Sequence, residues 1–333
     1  MQYIYLDWNS YGQVHPSVLE VMQETWLIYA NPSSQHELGQ ESKRLERKLG
    51  TDFLKNLNCS DAYRCVFLPS ATTVNRLVLE RYATVFVSSI EHPCILTCPY
   101  AQVIPVDNRG FIDLNILEDK LKTVQAPFLV SYMLANHEIG TISNLAPVVA
   151  LVRKYGGHIH TDAVQAFNRI DIDITQLDVD YITIAGQKSG GPIGIASLIH
   201  RNMLGCDTWY TKFGTLPLPL VAGLVSSVKM SHSSNKVFEE MLSGLVIIGA
   251  DGPRLPNTTA IACNNKSEVL MALDMHKICA SSGAACISDS SAQATTVAAM
   301  GLPYDSIRIS SGWSNTVQDY ERCAEVLRRF VKL

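Results

Sequence analysis

The feature that most constrains this chain is an alternation of two hydrophobic periods between about residue 17 and residue 200. Short β-branched or aromatic runs occur at 65–68, 84–87, 102–106, 128–132, 158–161, 181–184 and 193–199. Helical patterns lie between several of them, at 75–82, 114–122 and 145–155. Strand and helix in alternation predict βαβ units, and hence an α/β fold with a mainly parallel sheet covered by helices on both faces. After residue 216 the texture changes. A long helical pattern over 216–230 runs into the serine-rich SHSSN at 231–235. A strand-like TTAIAC follows at 258–263, then helical patterns near 268–276 and over 317–331. A boundary is expected near residue 235.

Composition narrows the class. Of 333 residues, 47% are hydrophobic and 17% charged, so a sizeable core is available and wholesale disorder is excluded. A net charge of −4 supplies no basic face, so nucleic acid is not an expected partner. The opening MQYIYLDWNS lacks the basic and apolar regions of a signal peptide. No run approaches the ~18–20 apolar residues of a spanning helix. A soluble, cytoplasmic protein without direct membrane contact is expected. Nine cysteines, at 59, 65, 94, 98, 206, 263, 279, 286 and 323, show no paired Cys-x-x-Cys spacing. Neither a zinc site nor a disulfide framework is signalled, and no metal is expected.

In open α/β sheets ligands sit beyond the carboxyl ends of the strands. Five polar groups follow apolar runs in this chain: Ser70-Ala71-Thr72-Thr73, Glu91-His92, Asn136, Asp162 with Gln165, and Lys188. Taken singly, each fits a plainer role: a helix cap for Ser70 or Asp162, a core histidine for His92, a turn residue for Asn136. Lys188 stands among glycines in IAGQKSGGPIG (184–194), directly behind the apolar YITI. An ammonium at the end of a buried strand is partly desolvated, which favours its neutral form and suits a Schiff-base nucleophile. A glycine-rich surface turn is the plainer reading. What shifts the balance is that all five groups end successive runs.

Eight segments in order resemble the pyridoxal-phosphate (PLP) cysteine desulfurases of the class V, fold type I aminotransferase-like enzymes. They are NPSSQH (31–36), SSIEH (88–92), ANHEIGTI (135–142), HTDAVQ (160–165), GQKSGGPIG (186–194), FGTLPLP (213–219), RLPNTT (254–259) and SSGAACIS (281–288). From YLDWN (5–9) to RISSG (308–312), the likeness covers nearly the whole chain. It implies the aspartate aminotransferase-like fold, with a large PLP-binding domain over 13–235 built on a mainly parallel seven-stranded sheet. Residues 1–12 and 236–333 would form a small α+β domain carrying the catalytic cysteine loop.

The resemblance also implies roles. Lys188 would carry PLP as a Schiff base and move protons at the substrate α-carbon. Asp162 would pair with the pyridinium nitrogen, and His92 would stack on the ring. Asn136 and Gln165 would hydrogen-bond around the ring hydroxyl and the substrate. Ala71 and Thr72 would hold the phosphate, with Thr215 reaching it from the other subunit of a homodimer. Cys286 would accept sulfur from L-cysteine as a persulfide, leaving L-alanine. A sulfur-acceptor or scaffold protein, in iron–sulfur cluster assembly or tRNA thiolation, would be the further partner. The chain departs from the family pattern at Ser70, Thr73-Val74, Ala185 and Gln187. It also carries Trp313 where the family's RFSLGR has the arginine that clamps the substrate carboxylate. Two other readings therefore stay open: a PLP-dependent lyase or transferase with another substrate, and a weakly active homologue acting as a partner-binding subunit.

Overall fold

The computed structural model describes residues 3–204, 214–228, 234–282 and 295–333. In chain order its strands are β1 (Ile4–Tyr5), β2 (Tyr63–Leu68), β3 (Val85–Ser88), β4 (Ala101–Ile104), β5 (Leu129–Ser131), β6 (His158–Asp162), β7 (Tyr181–Ala185), β8 (Ala196–Arg201), β9 (Thr258–Cys263), β10 (Ile278–Cys279) and β11 (Asp305–Ser310). Helices α1 (Pro16–Trp26), α2 (Glu37–Asn56), α3 (Ala71–Leu79), α4 (Pro93–Leu96), α5 (Leu114–Leu121), α6 (Ala146–Lys154) and α7 (Ile174–Leu177) precede or separate the strands up to β7. Later come α8 (Leu218–Ser226), α9 (Lys236–Glu240), α10 (Lys266–Met275), α11 (Thr296–Ala299) and α12 (Val317–Phe330).

Seven strands form one sheet in the order β2-β8-β7-β6-β5-β3-β4. Strands β3 to β7 are mutually parallel, and β8 is antiparallel to both β7 and β2. Strand β2 therefore runs with the parallel set, and the carboxyl ends of β2, β3, β5, β6 and β7 share one edge. Successive side chains of a strand point to opposite faces, and here both faces are apolar. Phe86, Val130 and Ile182 pack with Phe53 of α2 and Val149 of α6. Val85, Val87 and Leu129 pack on the other face with Val74 and Val78 of α3. A separate core joins Ile4 and Leu6 to Ile261, Ile307, Val269 and Leu327, around the antiparallel pair β9–β11 with α10 and α12.

The sequence expectations hold for the strand runs, with ends moved for local reasons. Helix α3 starts at Ala71 rather than 75 because Ser70 caps it, its hydroxyl accepting the Thr73 amide at 3.1 Å. Strand β4 stops at Ile104 because Pro105 follows, and proline donates no ladder hydrogen bond. Helix α8 starts only after Pro217, with a second proline in its first turn, and ends at Ser226. The expected end of that helix, residue 230, lies outside the described residues.

The N-terminal segment straps the small sheet to the large one. Trp8 and Asn9 donate backbone N–H groups to Ser310, the first to its carbonyl at 3.2 Å and the second to its hydroxyl at 3.0 Å. Gly12 donates its own to the Gln187 carbonyl at 2.8 Å. Trp8 is buried, and its ring lies on Gly312: a Cβ built there would come within 2.1 Å of the indole. Gly312→Ala is expected to displace the ring and destabilise the protein by about 1–3 kcal/mol. Chemical denaturation with tryptophan fluorescence checks this; an unchanged midpoint would contradict the packing.

Candidate active site

The five parallel strand ends surround a cleft of about 80 Å³ lined by Thr72, His92, Asp162, Gln165 and Lys188, among others. Each side chain arrives by a short path from its strand. Asp162 is the last residue of β6 and is 7% exposed. One of its oxygens accepts the Val164 amide at 2.9 Å, and the other accepts the Asn75 carboxamide at 2.8 Å. Lys188 closes a tight turn after β7, in which the Ser189 and Gly191 amides both donate to the Gly186 carbonyl. A Cβ on Gly191 would lie 2.9 Å from the Gly186 Cα, so only glycine allows this approach.

His92 caps α4, its Nδ1 accepting the Cys94 amide at 3.2 Å. Burial, followed by the nearby Lys188 charge and opposed by Asp162, lowers its pKa to about 4. It is thus a neutral ring at neutral pH. Ala71 and Thr72 open α3, where first-turn amides have no partner within the helix and favour an anion. Gln165 lies a few residues beyond Asp162, its Nε2 donating to the Asn9 carbonyl at 3.0 Å. A larger groove, of about 1060 Å³, runs along α2 and β2, away from these strand ends.

Not every expected residue reaches the cleft. Both ends of the Asn136 side chain are engaged elsewhere: Oδ1 accepts the Glu138 and Ile139 amides at 2.8 and 3.0 Å, and Nδ2 donates to the Ile90 carbonyl at 3.1 Å. Its neighbour His137 lines the cleft instead, 5.7 Å from the His92 ring. Burial holds its pKa well below the ordinary histidine value, assisted by His92 and Lys188. Thr215 is exposed and does not line the cleft of its own chain. Cys286 lies outside the described residues. His137 and Asn75 also line the cleft, and Asn75 is legible in the sequence as the residue one turn beyond Ala71 on the same face of α3.

Trp313 sits in an aromatic wall, edge-on to His15 at 5.0 Å and to Trp8 at 6.2 Å. Its single N–H points at the Gln13 carbonyl, 3.3 Å away. Arg308 is nearly fully buried, donating to Asp7 at 2.7 Å and to the His137 carbonyl at 2.8 Å.

A lysine, a carboxylate and a neutral imidazole meeting at the carboxyl ends of a parallel sheet are a set of groups that suits the PLP-dependent fold type I enzymes. The residues fit that cofactor. The helix N-terminus of α3 suits its phosphate, Asp162 its ring nitrogen, and the flat neutral His92 its face. A family model described as aminotransferase class V matches residues 4–217, and the chain belongs to that PLP-dependent family. It is 27% identical to a cysteine desulfurase of Sinorhizobium fredii, over all of this chain and 97% of the relative. A mitochondrial cysteine desulfurase of Saccharomyces cerevisiae is 28% identical, over 99% of this chain and 75% of the relative. Among solved structures, a NifS-like protein from Rickettsia africae superposes with a TM-score of 0.87 at 28% identity, covering 98% of this chain and 99% of that one.

Glu91, fully buried beside His92, generates a pH prediction. Its Oε1 accepts the Ser88 hydroxyl at 2.7 Å and the Met133 amide at 2.8 Å, while Oε2 has no partner among the described residues. Burial pushes its pKa from 4.5 up to about 8. Between those values the unfolded chain has released a proton that the folded protein keeps, so stability falls as pH rises through this window. His92 and His160 act oppositely. Each is lowered from 6.5 to about 4, so stability is lost as pH falls through that range. Glu91→Gln removes only the first slope. Thermal melts should show the variant gaining on wild type steadily from pH 4.5 to pH 8. A constant difference would contradict the buried, protonated carboxyl.

Proposed function

We propose that this chain is a cysteine desulfurase, converting L-cysteine to L-alanine with the sulfur retained as a persulfide on Cys286. The observation that carries this reading is the convergence of Lys188, Asp162 and His92 on one cleft, in a chain whose named relatives match it from end to end. PLP supplies the electron sink that weakens bonds at the substrate α-carbon. Lys188 holds the cofactor and moves the α-proton. Asp162 keeps the ring nitrogen protonated, His92 packs on the ring face, and Ala71 and Thr72 receive the phosphate.

Cys286 supplies the nucleophile. Its thiolate attacks the substrate sulfur, the sulfur–carbon bond breaks, and the electron pair leaves with carbon, which takes up a proton. L-cysteine and a thiol thus give L-alanine and a persulfide. A sulfur-acceptor protein completes the cycle. The same reading divides the chain into a large domain, 13–235, and a small one of 1–12 with 236–333. Its support is that Ile4 and Leu6 pack into the core of β9 and β11.

A homodimer belongs to this reading, with Thr215 contributing to the partner's phosphate site. What supports it is an exposed apolar surface: Trp26, Leu27 and Tyr29 are 63%, 79% and 84% exposed at the end of α1, and Ile193 is 55% exposed. The two patches are near each other, because Gly223 of α8 approaches both Met22 and Pro192. A second reading, a PLP-dependent lyase acting on another amino acid, is favoured by Trp313, whose only N–H is spent on Gln13.

Wild type exposed to L-cysteine should release alanine and carry a persulfide on Cys286, seen by mass spectrometry. Cys286→Ser should still bind PLP, yet drop to near-background alanine release under thiol-poor conditions. Undiminished release by the variant would exclude Cys286 as acceptor. No release from wild type, with turnover of a different amino acid, would favour the second reading.

A further inference from the structure

Arg169 is a fully buried cation with no carboxylate partner among the described residues. Its Nη1 donates to the Gln165 side-chain oxygen and, at 3.3 Å, to the Gln165 carbonyl. Its Nη2 donates to the Lys188 carbonyl at 2.6 Å. Its Nε has no partner among the described residues. Burial, with Arg308 nearby, lowers its pKa from 12.5 to about 9. A charge kept at that cost, and spent on three neutral oxygens beside Lys188, calls for a physical reason.

The reason lies in the polarity of Gln165. A carboxamide has an acceptor end and a donor end, and rotation by half a turn exchanges them. A guanidinium can only donate, so the atom facing Arg169 must be oxygen. The Asn9 carbonyl can only accept, so the atom facing it must be nitrogen, as its 3.0 Å contact requires. Reversal would set N–H groups against the guanidinium and oxygen against oxygen. With one hydrogen on Asn9, Gln165 has a second N–H, and its side chain lines the cleft.

We propose that Arg169 is a positioning residue that locks the Gln165 carboxamide so that it presents an N–H, never a carbonyl, to an anionic oxygen of the PLP ring. This rests on the functional reading above. The Nη2 contact to the Lys188 carbonyl ties the same cation to the backbone of the lysine that would carry the ring. A donor held against the ring oxygen stabilises its anionic form and lowers the pKa at which the cofactor's visible band titrates. The other titratable groups around the cleft are Asp162, His92, His137, Cys94 and Lys188, with Arg308 and Glu91 behind them. None is altered by the substitutions below.

The test is a pH titration of the visible absorption band in PLP-loaded protein for wild type, Arg169→Met, Gln165→Leu, the double variant and Arg169→Lys. Losing the locked donor should raise the band's pKa by about one unit in Arg169→Met and in Gln165→Leu. In the double variant the shift should be no larger than in Gln165→Leu alone, because Arg169 acts through Gln165. Arg169→Lys, whose ammonium is also donor-only, should stay close to wild type. Additive shifts would mean that Arg169 acts through its own charge and would overturn the proposal. So would an Arg169→Lys shift as large as that of Gln165→Leu, a comparison that stands even if Arg169→Met fails to fold. A wild type with no visible band after loading would overturn the functional reading itself.

Discussion

A sheet buried on both faces has room for polar side chains only if each finds a partner within the sheet or sits where a strand runs out. That constraint organises this chain. Inside the sheet a polar line across three strands is complete: Ser131 and Thr183 flank His160 across β5, β6 and β7, at 2.8 and 2.9 Å. Burial keeps that histidine neutral, with a pKa near 4. The polar side chains that line the cleft gather at the carboxyl edge. There, parallel direction brings residues from distant parts of the sequence together.

Electrostatics at that edge follows from the same burial. His92 and His137 are kept uncharged beside Lys188, and Glu91 keeps its proton at neutral pH. Behind the cleft two guanidiniums are held by neutral or single anionic partners, Arg169 by Gln165 and Lys188, and Arg308 by Asp7 and the His137 carbonyl. Both bind backbone carbonyls of cleft loops. They therefore fix the positions of His137 and Lys188 as well as the local charge. The N-terminal strap adds a third restraint through Gly12 and Gln187.

Much of this was legible in the sequence, and the limits have physical causes. Lys188, Asp162 and His92 each follow an apolar run, so their placement depends only on where a strand stops and which way it points. The seven runs that make the sheet were readable for the same reason. Asn136 was not legible in this way. Its carboxamide oxygen is taken by the amides two and three residues ahead, a local turn, and its nitrogen donates to the Ile90 carbonyl. Asn75 and Arg169 were missed because their partners, Asp162 and Lys188, lie far off in sequence and only packing joins them. Helix α3 began earlier than its apolar pattern because a cap, and not hydrophobicity, sets a helix start.

The site depends on Lys188 being the residue that holds the cofactor. Purified protein loaded with PLP, reduced with borohydride and mapped by peptide mass spectrometry tests this directly. The pyridoxyl group is predicted on Lys188 and on no other lysine. Its appearance instead on Lys43 or Lys55 of the α2 groove, or its absence from Lys188 in fully loaded protein, would contradict the site built here.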